Sequence, residues 1–282
     1  MEYVEHPAPA DLRRHAQCVW ILRDEAPGDA VQVIYPDGRC ELLAELGVPL
    51  RFHGPDGQIR ADQQLAFAGQ QLGPIRLQAA GAVHCIGVRL AAASGSLIAG
   101  AQLPQLRDCA PDLHALDVVF AGQFLIAAQA CAEAQSAEPL WQLMRLRCAC
   151  FVPDLLVEQA LESLDAREGN LRIGELAKQL GTSLRTLQPR FLAAVGMTPK
   201  EYARVRRLQA LLRTLDAERT AIADAAVRHG FSDQAHATHD LFRFTGTTPA
   251  RLVRALRGDP DGKDALRLAA AFVRGRHWTG QE

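Results

Sequence analysis

Five side chains toward the C-terminal end of the chain have the types and spacing that suit contact with the edges of nucleic-acid bases. They lie on the leading, polar side of a segment that starts near Ser232. They are Gln234, Ala235, His236, Thr238 and His239. Glutamine can bond adenine with two hydrogen bonds, and alanine or threonine can contact a thymine methyl group. A helix face that is merely solvated is the plainer interpretation, but Phe231 and Leu241 already fix the buried side.

A second segment nearer the middle of the chain places Arg185, Thr186 and Gln188 on the matching side of its own helix. An arginine there can bind a guanine edge or a phosphate group. Other basic residues are candidates for phosphate contact, and we expect about half of them to touch a duplex. These candidates are Arg190, Lys200, Arg204, Arg206, Arg207, Arg243, Arg251 and Arg254. Arg207 has internal pairing as an alternative.

Residues that could ligate a metal or react with a substrate do not form a motif. The candidates in the first third are Cys40, Glu41, His53, His84 and Cys85. No His-x-His pair or other ligand spacing is present, so we predict neither a metal nor a cofactor. Cys148 and Cys150 lie two residues apart in a predicted helix, so their side chains point in different directions and do not suit a zinc site or a redox pair. The sequence has no Ser/His/Asp arrangement or glycine-rich phosphate loop, and we therefore predict no catalytic residue and no enzyme.

The two polar segments belong to a stretch, Leu171–Arg257, that repeats one pattern. Its halves read IGELAKQLGTSLRTLQPRFLAAVGMTP and IADAAVRHGFSDQAHATHDLFRFTGTTP. Each contains an apolar helix, a glycine, a capping residue, a second helix and a Gly-x-x-Pro, with Gly181 matching Gly230 and Pro199 matching Pro249. Ser183 is expected to cap the second helix of the first half, and Ser232 or Asp233 that of the second half. The pattern predicts two helix-turn-helix units, each with a helix that can enter the major groove.

The order of these motifs resembles the DNA-binding domain of the AraC family of bacterial transcription regulators. The matching segments are LAKQLGTSLRTLQPRF, GMTPKEYARVRRLQALL, IADAAVRHGFSD and FRFTGTTPARL. The resemblance implies that helix Pro199–Leu215 bridges the two units and sets their separation. It also implies that the polar residues named above are the base-reading positions. We therefore predict DNA contacts by Arg185, Thr186, Gln188, Arg190, Gln234, Ala235, His236, Thr238, His239 and Arg243.

The charge distribution separates two parts of this 282-residue chain. Residues 1–170 hold 12 Lys and Arg against 21 Asp and Glu, a net charge of −9, whereas residues 171–257 hold 15 against 7, a net charge of +8. The basic part suits a polyanionic partner. We predict a sensor and dimerisation domain over 1–152, a double helix-turn-helix domain over 153–258, and a linker and tail over 259–282.

Short apolar runs between turn signals predict seven strands in the N-terminal part, and the fold class is therefore α+β. The strands are Cys18–Leu22, Val31–Tyr35, Cys40–Ala44, Leu50–His53, Leu65–Ala68, Ile75–Gln78 and His84–Leu90. Such spacing is typical of a β-barrel or sandwich. The segments YPDGRCELLAELG and HCIGVRLAAASG are similar to the cupin-like sensor domain of some AraC-type regulators. Helices are expected over Leu113–Gln129, Leu140–Phe151 and Leu155–Leu164, and one near Asp264–Arg274.

We expect double-stranded DNA as the partner of this chain, with RNA polymerase and a small-molecule effector as further candidates. The aromatic residues Trp20, Tyr35, Phe52 and Phe67 could line an effector pocket or equally fill a core. The apolar helices of residues 96–152 favour a homodimer. The sequence shows no signal peptide, no membrane span and no regular cysteine framework, so the cytoplasm is the expected compartment. The alternatives are a cupin-type enzyme fused to a nucleic-acid-binding module, or a pure assembly protein.

Pro189 conflicts with the helical pattern of the first half. If Ser183 caps the helix, Pro189 lies past its first turn, where proline offers no N–H to the carbonyl of Arg185 and costs about 3 kcal/mol. We therefore expect the helix to kink at Arg185 or to begin later, near Thr186. Because Pro189 also replaces a polar reading side chain, we expect the first half to bind mainly through phosphates.

Overall fold

The computed structural model of the chain describes residues 1–29, 31–54, 57–218 and 220–256. The predicted linker, tail and terminal helix beyond residue 258 lie outside these residues. Within them the fold is α+β: antiparallel strands come first and helices follow. The strands are β1 Glu2–Pro7, β2 Ala16–Asp24, β3 Val31–Ile34, β4 Glu41–Glu45, β5 Arg51–His53, β6 Ile59–Ala61, β7 Leu65–Ala68, β8 Ile75–Gln78 and β9 Val83–Leu90.

The strands form two antiparallel sheets. One has the order β1-β2-β9-β4-β7 and the other β3-β8-β5-β6. All seven predicted strands are confirmed, with the same ends for Leu65–Ala68 and Ile75–Gln78 and ends shifted by at most two residues in the others. Strands β1 and β6 were not predicted. The three residues of β6 are all exposed, so this strand carries no inward-facing apolar pattern to detect.

Alternation along the strands gives the larger sheet two different faces. On β9, Ile86 and Val88 pack toward the helices that follow, in a cluster with Phe120 and Phe124. Cys85 faces the opposite way, with Trp20 and Leu77, into the layer between the two sheets. The larger sheet is therefore covered on both sides.

The helices are α1 Ser96–Ala99, α2 Leu113–Leu116, α3 Val118–Ala134, α4 Glu138–Cys148, α5 Leu155–Ala166, α6 Ile173–Gln179, α7 Leu184–Val195, α8 Pro199–Ala217, α9 Ile222–Arg228, α10 Gln234–Thr245 and α11 Pro249–Leu256. Short 3₁₀ helices occupy Ala92–Ser94 and Gly100–Leu106. The single helix predicted over Leu113–Gln129 is wrong at Asp117. That residue is extended, with φ −156°, and its side chain accepts a hydrogen bond from the Phe120 amide as the cap of α3.

The helical C-terminal half packs directly on the sheet region. Tyr35, which follows β3, lies in one hydrophobic cluster with Leu208 and Leu211 of α8. Ala92 and Ala93, which follow β9, lie in another with Phe191 of α7 and Tyr202 of α8. The two halves of the chain therefore share hydrophobic cores, and the helix-turn-helix units pack against the sheet region.

Candidate nucleic-acid interface

The repeated stretch folds as two helix-turn-helix units, as the sequence predicts. The first is α6 and α7 and the second is α9 and α10. Gly181 and Gly230 adopt left-handed conformations, with φ +63° and +72°, at the turns that separate the paired helices. These positive φ values favour glycine over residues that carry a Cβ. The inward side chains at the helix crossings are fully or almost fully buried. They are Leu176, Ala177, Leu187 and Phe191 in the first unit, and Ala225, Ala226, Ala237 and Leu241 in the second.

The two units differ by one residue in the turn before the second helix. Ser183 caps α7 by accepting a hydrogen bond from the Thr186 amide at 3.1 Å. In the second unit Asp233 is the cap and accepts from the His236 amide at 2.7 Å. The structural equivalent of Ser183 is therefore Asp233 and not Ser232, and α10 begins at Gln234.

The leading turns of α10 carry the predicted base readers on an outward stripe. Gln234, Ala235 and His239 are exposed, and Thr238 is half-buried. His236 differs, because its ring packs edge-on against Phe231 with centroids 5.4 Å apart. The His236 Nδ1 also lies 3.1 Å from the hydroxyl of Ser232, so this ring is held by its own turn.

Asp240 fixes the opposite side of α10. Its side chain is 2% exposed and pairs with Arg204 of α8, whose Nε lies 3.2 Å from Oδ2 of Asp240, with a second, shorter contact between Nη2 and Oδ1. Arg204 was predicted to contact phosphate, but the structure uses it inside the protein. Sequence reasoning missed Asp240. Its only signal was an acidic residue one turn before the buried Phe244 on an otherwise apolar helix face.

The exposed face of α7 carries Arg185, Thr186 and Gln188. These residues occupy the side of the helix that the sequence assigned to DNA. Arg190 is also at the surface, but both its Nε and Nη2 donate to the Asp154 carboxylate, at 2.7 and 2.8 Å. Asp154 is also the cap of α5. The segment around Pro153, where the predicted DNA-binding domain begins, is therefore tied to α7.

Pro189 does not interrupt α7. The helix begins at Leu184 and continues to Val195 with Pro189 inside it, so the predicted late start near Thr186 is wrong. The side chains of Leu187, Phe191 and Val195 are fully buried on the other face. Their packing outweighs the cost of about 3 kcal/mol that an interior proline imposes.

The remaining basic candidates divide into internal and external groups. Arg206 lies 2.8 Å from Asp165. Arg207 donates to the carbonyls of Gly169 and Gly230 at 3.3 Å, which is the internal pairing that the sequence left open as an alternative to phosphate contact. The cationic side chains that point to solvent are Lys200, Arg243, Arg251 and Arg254.

Helix α8 connects the two units. Its 19 residues correspond to about 28 Å of length. Its buried side chains belong to both cores: Tyr202 lies in the first and Leu208 and Leu212 in the second. A capping box of Thr198 and Glu201 starts the helix. The two units are therefore mounted on one rigid element.

The loop between β3 and β4 reaches α8 with polar contacts. Arg39 donates to the hydroxyl of Tyr202 at 2.8 Å, and that hydroxyl donates to Asp165 at 2.9 Å. Gln209 of α8 donates to the carbonyl of Pro36. Burial raises the pKa of Tyr202, against the lowering effect of the Arg39 charge, so the hydroxyl stays protonated.

The C-terminal ends of α7 and α10 also contact the N-terminal half. A Cβ added at Gly196, which ends α7, would lie 3.0 Å from Leu103. One added at Gly246, which ends α10, would lie 2.3 Å from the guanidinium of Arg76 on β8. The two glycines have φ +85° and +64°. The exposed leading turns are therefore at the ends of these helices that are remote from this contact.

The metal-ligand and pocket candidates of the sequence are dispersed. Cys85 donates to Glu45 at 2.9 Å, and His53 hydrogen-bonds to Gln78 at 3.0 Å. Among the described residues no group of three or more His, Cys, Asp or Glu could hold a metal ion. Of the four aromatic residues considered for an effector pocket, three lie in three different places. Trp20 is between the sheets, Phe67 faces the helices and Tyr35 packs on α8.

No helix in the described part of the chain has the length and apolar character needed to cross a membrane. The architecture is that of a double helix-turn-helix DNA-binding protein whose N-terminal half is built from antiparallel sheets. The comparisons with known proteins agree with this class.

Residues 176–255 match a family described as a helix-turn-helix domain, and residues 4–111 match a domain of unknown function (DUF6597). The probable transcription factor PqrA from Proteus vulgaris is 35% identical over 91 residues, which are 32% of this chain and 75% of that protein. The chain belongs to the AraC family of transcription regulators.

Two groups of solved structures are also similar. The alignment with ToxT from Vibrio cholerae covers 90% of this chain and 98% of the ToxT chain, at 10% identity and a TM-score of 0.45. A transcriptional regulator with an AraC-type DNA-binding domain from Chromobacterium violaceum covers 37% of this chain and 94% of its own, at 26% identity and a TM-score of 0.34.

Proposed function

We propose that this regulator reads a specific duplex sequence through the leading turns of α7 and α10, under the control of its N-terminal half. The functional division is residues 1–152 for sensing and dimerisation and residues 153–258 for DNA binding. The observation that carries the proposal is the pair of exposed polar stripes on helices whose other faces are fixed to α8. Such helices present base-reading side chains in a set orientation.

The base readers in this proposal are Gln234, Ala235, Thr238 and His239, with His236 held beside them by its turn. In the first unit Arg185, Thr186 and Gln188 contact the duplex on the corresponding side, mainly through its phosphates. Arg243 contacts phosphate, and Arg190 does so only by giving up its pair with Asp154. Because Pro189 has no donor or acceptor in its side chain, the second unit supplies most of the sequence discrimination.

Two matched glutamines test this assignment. Replacing Gln234 by alanine removes a bidentate contact and should weaken binding to the specific site by about 1–3 kcal/mol, with little effect on random duplexes. Gln188→Ala is the control on the equivalent face of α7, and we expect a smaller loss of specificity. Equal losses on specific and random DNA would remove Gln234 from the base readers. Binding that does not weaken with salt would favour a protein-assembly role instead.

Dimerisation is assigned to the outer face of α3. Val118, Val119 and Ile126 there are 67–69% exposed, although the inner face of the same helix is buried. Gly122 lies between them, and a Cβ at Gly122 would meet nothing within 4 Å. An apolar face with a small residue at its centre suits close packing against the same helix of a second copy.

Sedimentation of the full chain tests the dimer. The wild type should sediment as a dimer, and Ile126→Glu as a monomer with an unchanged fold. Val48→Glu places the same charge at an exposed valine outside α3 and should remain dimeric. A concentration-independent monomer for the wild type would overturn this assignment.

Control of DNA binding runs through the loop between β3 and β4. Arg89, which is almost buried between the sheets, lies 3.7 Å from Asp37 and 2.8 Å from Glu41. The neighbouring Pro36 and Arg39 form hydrogen bonds with Gln209 and Tyr202 of α8. We place the protein in the cytoplasm and the effector site between the two sheets. A small molecule bound there would shift the loop between β3 and β4 and therefore the position of α8, on which α7 and α10 pack. The occupancy of DNA or the contact with RNA polymerase would change as a result.

A further inference from the structure

The exposed stripe of α10 extends beyond the base readers and ends in an aromatic residue. Phe242 is 57% exposed, whereas its helical neighbours Leu241 and Phe244 are buried. Phe242 follows Ala235 by seven residues, so the two side chains lie about 20° apart around the helix axis. Thr238 and His239 lie about 40° and 60° from Phe242, on either side of it. Phe242 therefore occupies the middle of the stripe.

The contacts made by the other residues of α10 keep Phe242 on the exposed face of the helix. Asp240 is clamped by Arg204, and Ala237 and Leu241 are buried against the neighbouring helices. Rotating α10 to cover Phe242 would break that ion pair and expose the core side chains. The aromatic ring is thus held on the same side of the helix as Ala235, about one turn farther along the stripe than Thr238 and His239.

We propose that Phe242 is a specificity-determining residue that contacts the C5-methyl group of a thymine in the major groove. This inference rests on the proposed DNA-reading role of α10. From Ala235 to Phe242 the helix rises about 10 Å, which is within the width of about 12 Å of the major groove. A phenylalanine has no hydrogen bond to offer, and the thymine methyl group is the apolar feature of that groove. The site read by α10 therefore includes a thymine beyond the bases read by Gln234 and Ala235.

The test selects binding sites from random duplexes with the full-length wild type, Phe242→Ala and Val227→Ala. Val227 is the matched control, because it is an apolar residue 69% exposed in the same unit but on α9. We expect the wild type and Val227→Ala to prefer thymine at one position that Phe242→Ala reads indifferently. The preferences set by Gln234 should persist in all three. Phe242→Leu, which keeps an apolar side chain, should retain the thymine preference.

A change in the DNA provides a second measurement that does not depend on the folding of a variant. Replacing that thymine by deoxyuridine removes only the methyl group. It should weaken wild-type binding about fourfold, the change expected for one buried CH₂-sized group, and leave Phe242→Ala unaffected.

Several results would overturn the inference. One is the same base preference for wild type and Phe242→Ala; another is an equal effect of deoxyuridine on both. A uniform loss on all sequences would mean that Phe242 contacts the DNA backbone. Unchanged DNA binding with reduced transcription would assign it to a protein partner. Failure of the wild type to select any sequence would instead refute the proposed function.

Discussion

The ion pair of Asp240 with Arg204 allows a quantitative test of how α10 is held. Asp240 is 2% exposed and the Arg204 side chain is 22% exposed, so neither charge is well solvated. The Arg204 guanidinium also lies 5.5 Å from the centre of the Phe244 ring. Removing one partner of such a pair leaves the other charge without compensation in a poorly solvated site.

We expect Asp240→Ala to lower the free energy of unfolding by about 3–5 kcal/mol, the usual cost of breaking a buried pair. The matched control is Arg228→Ala. Its pair with Glu218 has both side chains 51% exposed, and such a pair is worth about 0–1 kcal/mol. The assay is equilibrium denaturation of the full chain, followed by DNA binding under conditions where each variant stays folded.

The double variant Arg204→Ala/Asp240→Ala separates the pair from other effects. Because it leaves no charge unpaired, it should be less destabilised than the sum of the single variants. Asp240→Asn keeps an acceptor for Arg204 and should lose less than Asp240→Ala. A loss for Asp240→Ala no larger than that for Arg228→Ala would refute the reasoning that this pair positions the recognition helix.

Three further predictions follow from other sites. Pro189→Ala should raise the free energy of unfolding by up to about 3 kcal/mol in denaturation, because α7 is already an unbroken helix; a loss of stability would show that the proline is required there. Tyr202→Phe removes the hydroxyl between Arg39 and Asp165 and should cost about 1–3 kcal/mol, with altered DNA affinity in the full chain; unchanged affinity would separate this contact from control. Burial raises the pKa of Glu45 from 4.5 to about 7, against the lowering effect of its bond from Cys85, so the folded state holds this proton more tightly than the unfolded state. The contribution of Glu45 to stability should therefore fall between about pH 4.5 and 7, by on the order of 3 kcal/mol, and a Glu45→Gln variant that keeps the same pH dependence would contradict this.

Local patterns account for the parts of the structure that were predicted. Turn residues and apolar alternation located seven strands, and the duplicated Gly181 and Gly230 located both helix-turn-helix units. These signals are local because they depend on backbone conformation and on a buried face within one element. The exposure of the leading turn that carries Gln234 and Ala235 was predictable for the same reason, since Phe231 and Leu241 indicate which side of the segment is buried.

Long-range pairing accounts for what was missed. Nothing in the sequence near Arg204 shows that its partner is Asp240, 36 residues later. The arginines of this helix were therefore interpreted as phosphate ligands. The insertion of one residue before Asp233 was hidden because Ser232 is also a good cap. For Pro189, local propensity favoured a break, and tertiary packing of Leu187 and Phe191 overrode it.

Gly196 and Gly246 place the C-terminal ends of α7 and α10 against the N-terminal half, whereas the leading turns with the polar stripes lie at the opposite ends. Each helix has 12 residues, so its leading end lies about 18 Å from the end that contacts the N-terminal half. Because each helix is packed inside its own unit, a tilt would move the whole unit with it. A tilt of only about 10° about Leu103 or Arg76 would move the leading end by about 3 Å, which is close to the spacing of one base pair. In the proposed control of DNA binding, a shift in the N-terminal half too small to change any secondary structure would therefore be enough to move α7 or α10 from one base step to the next.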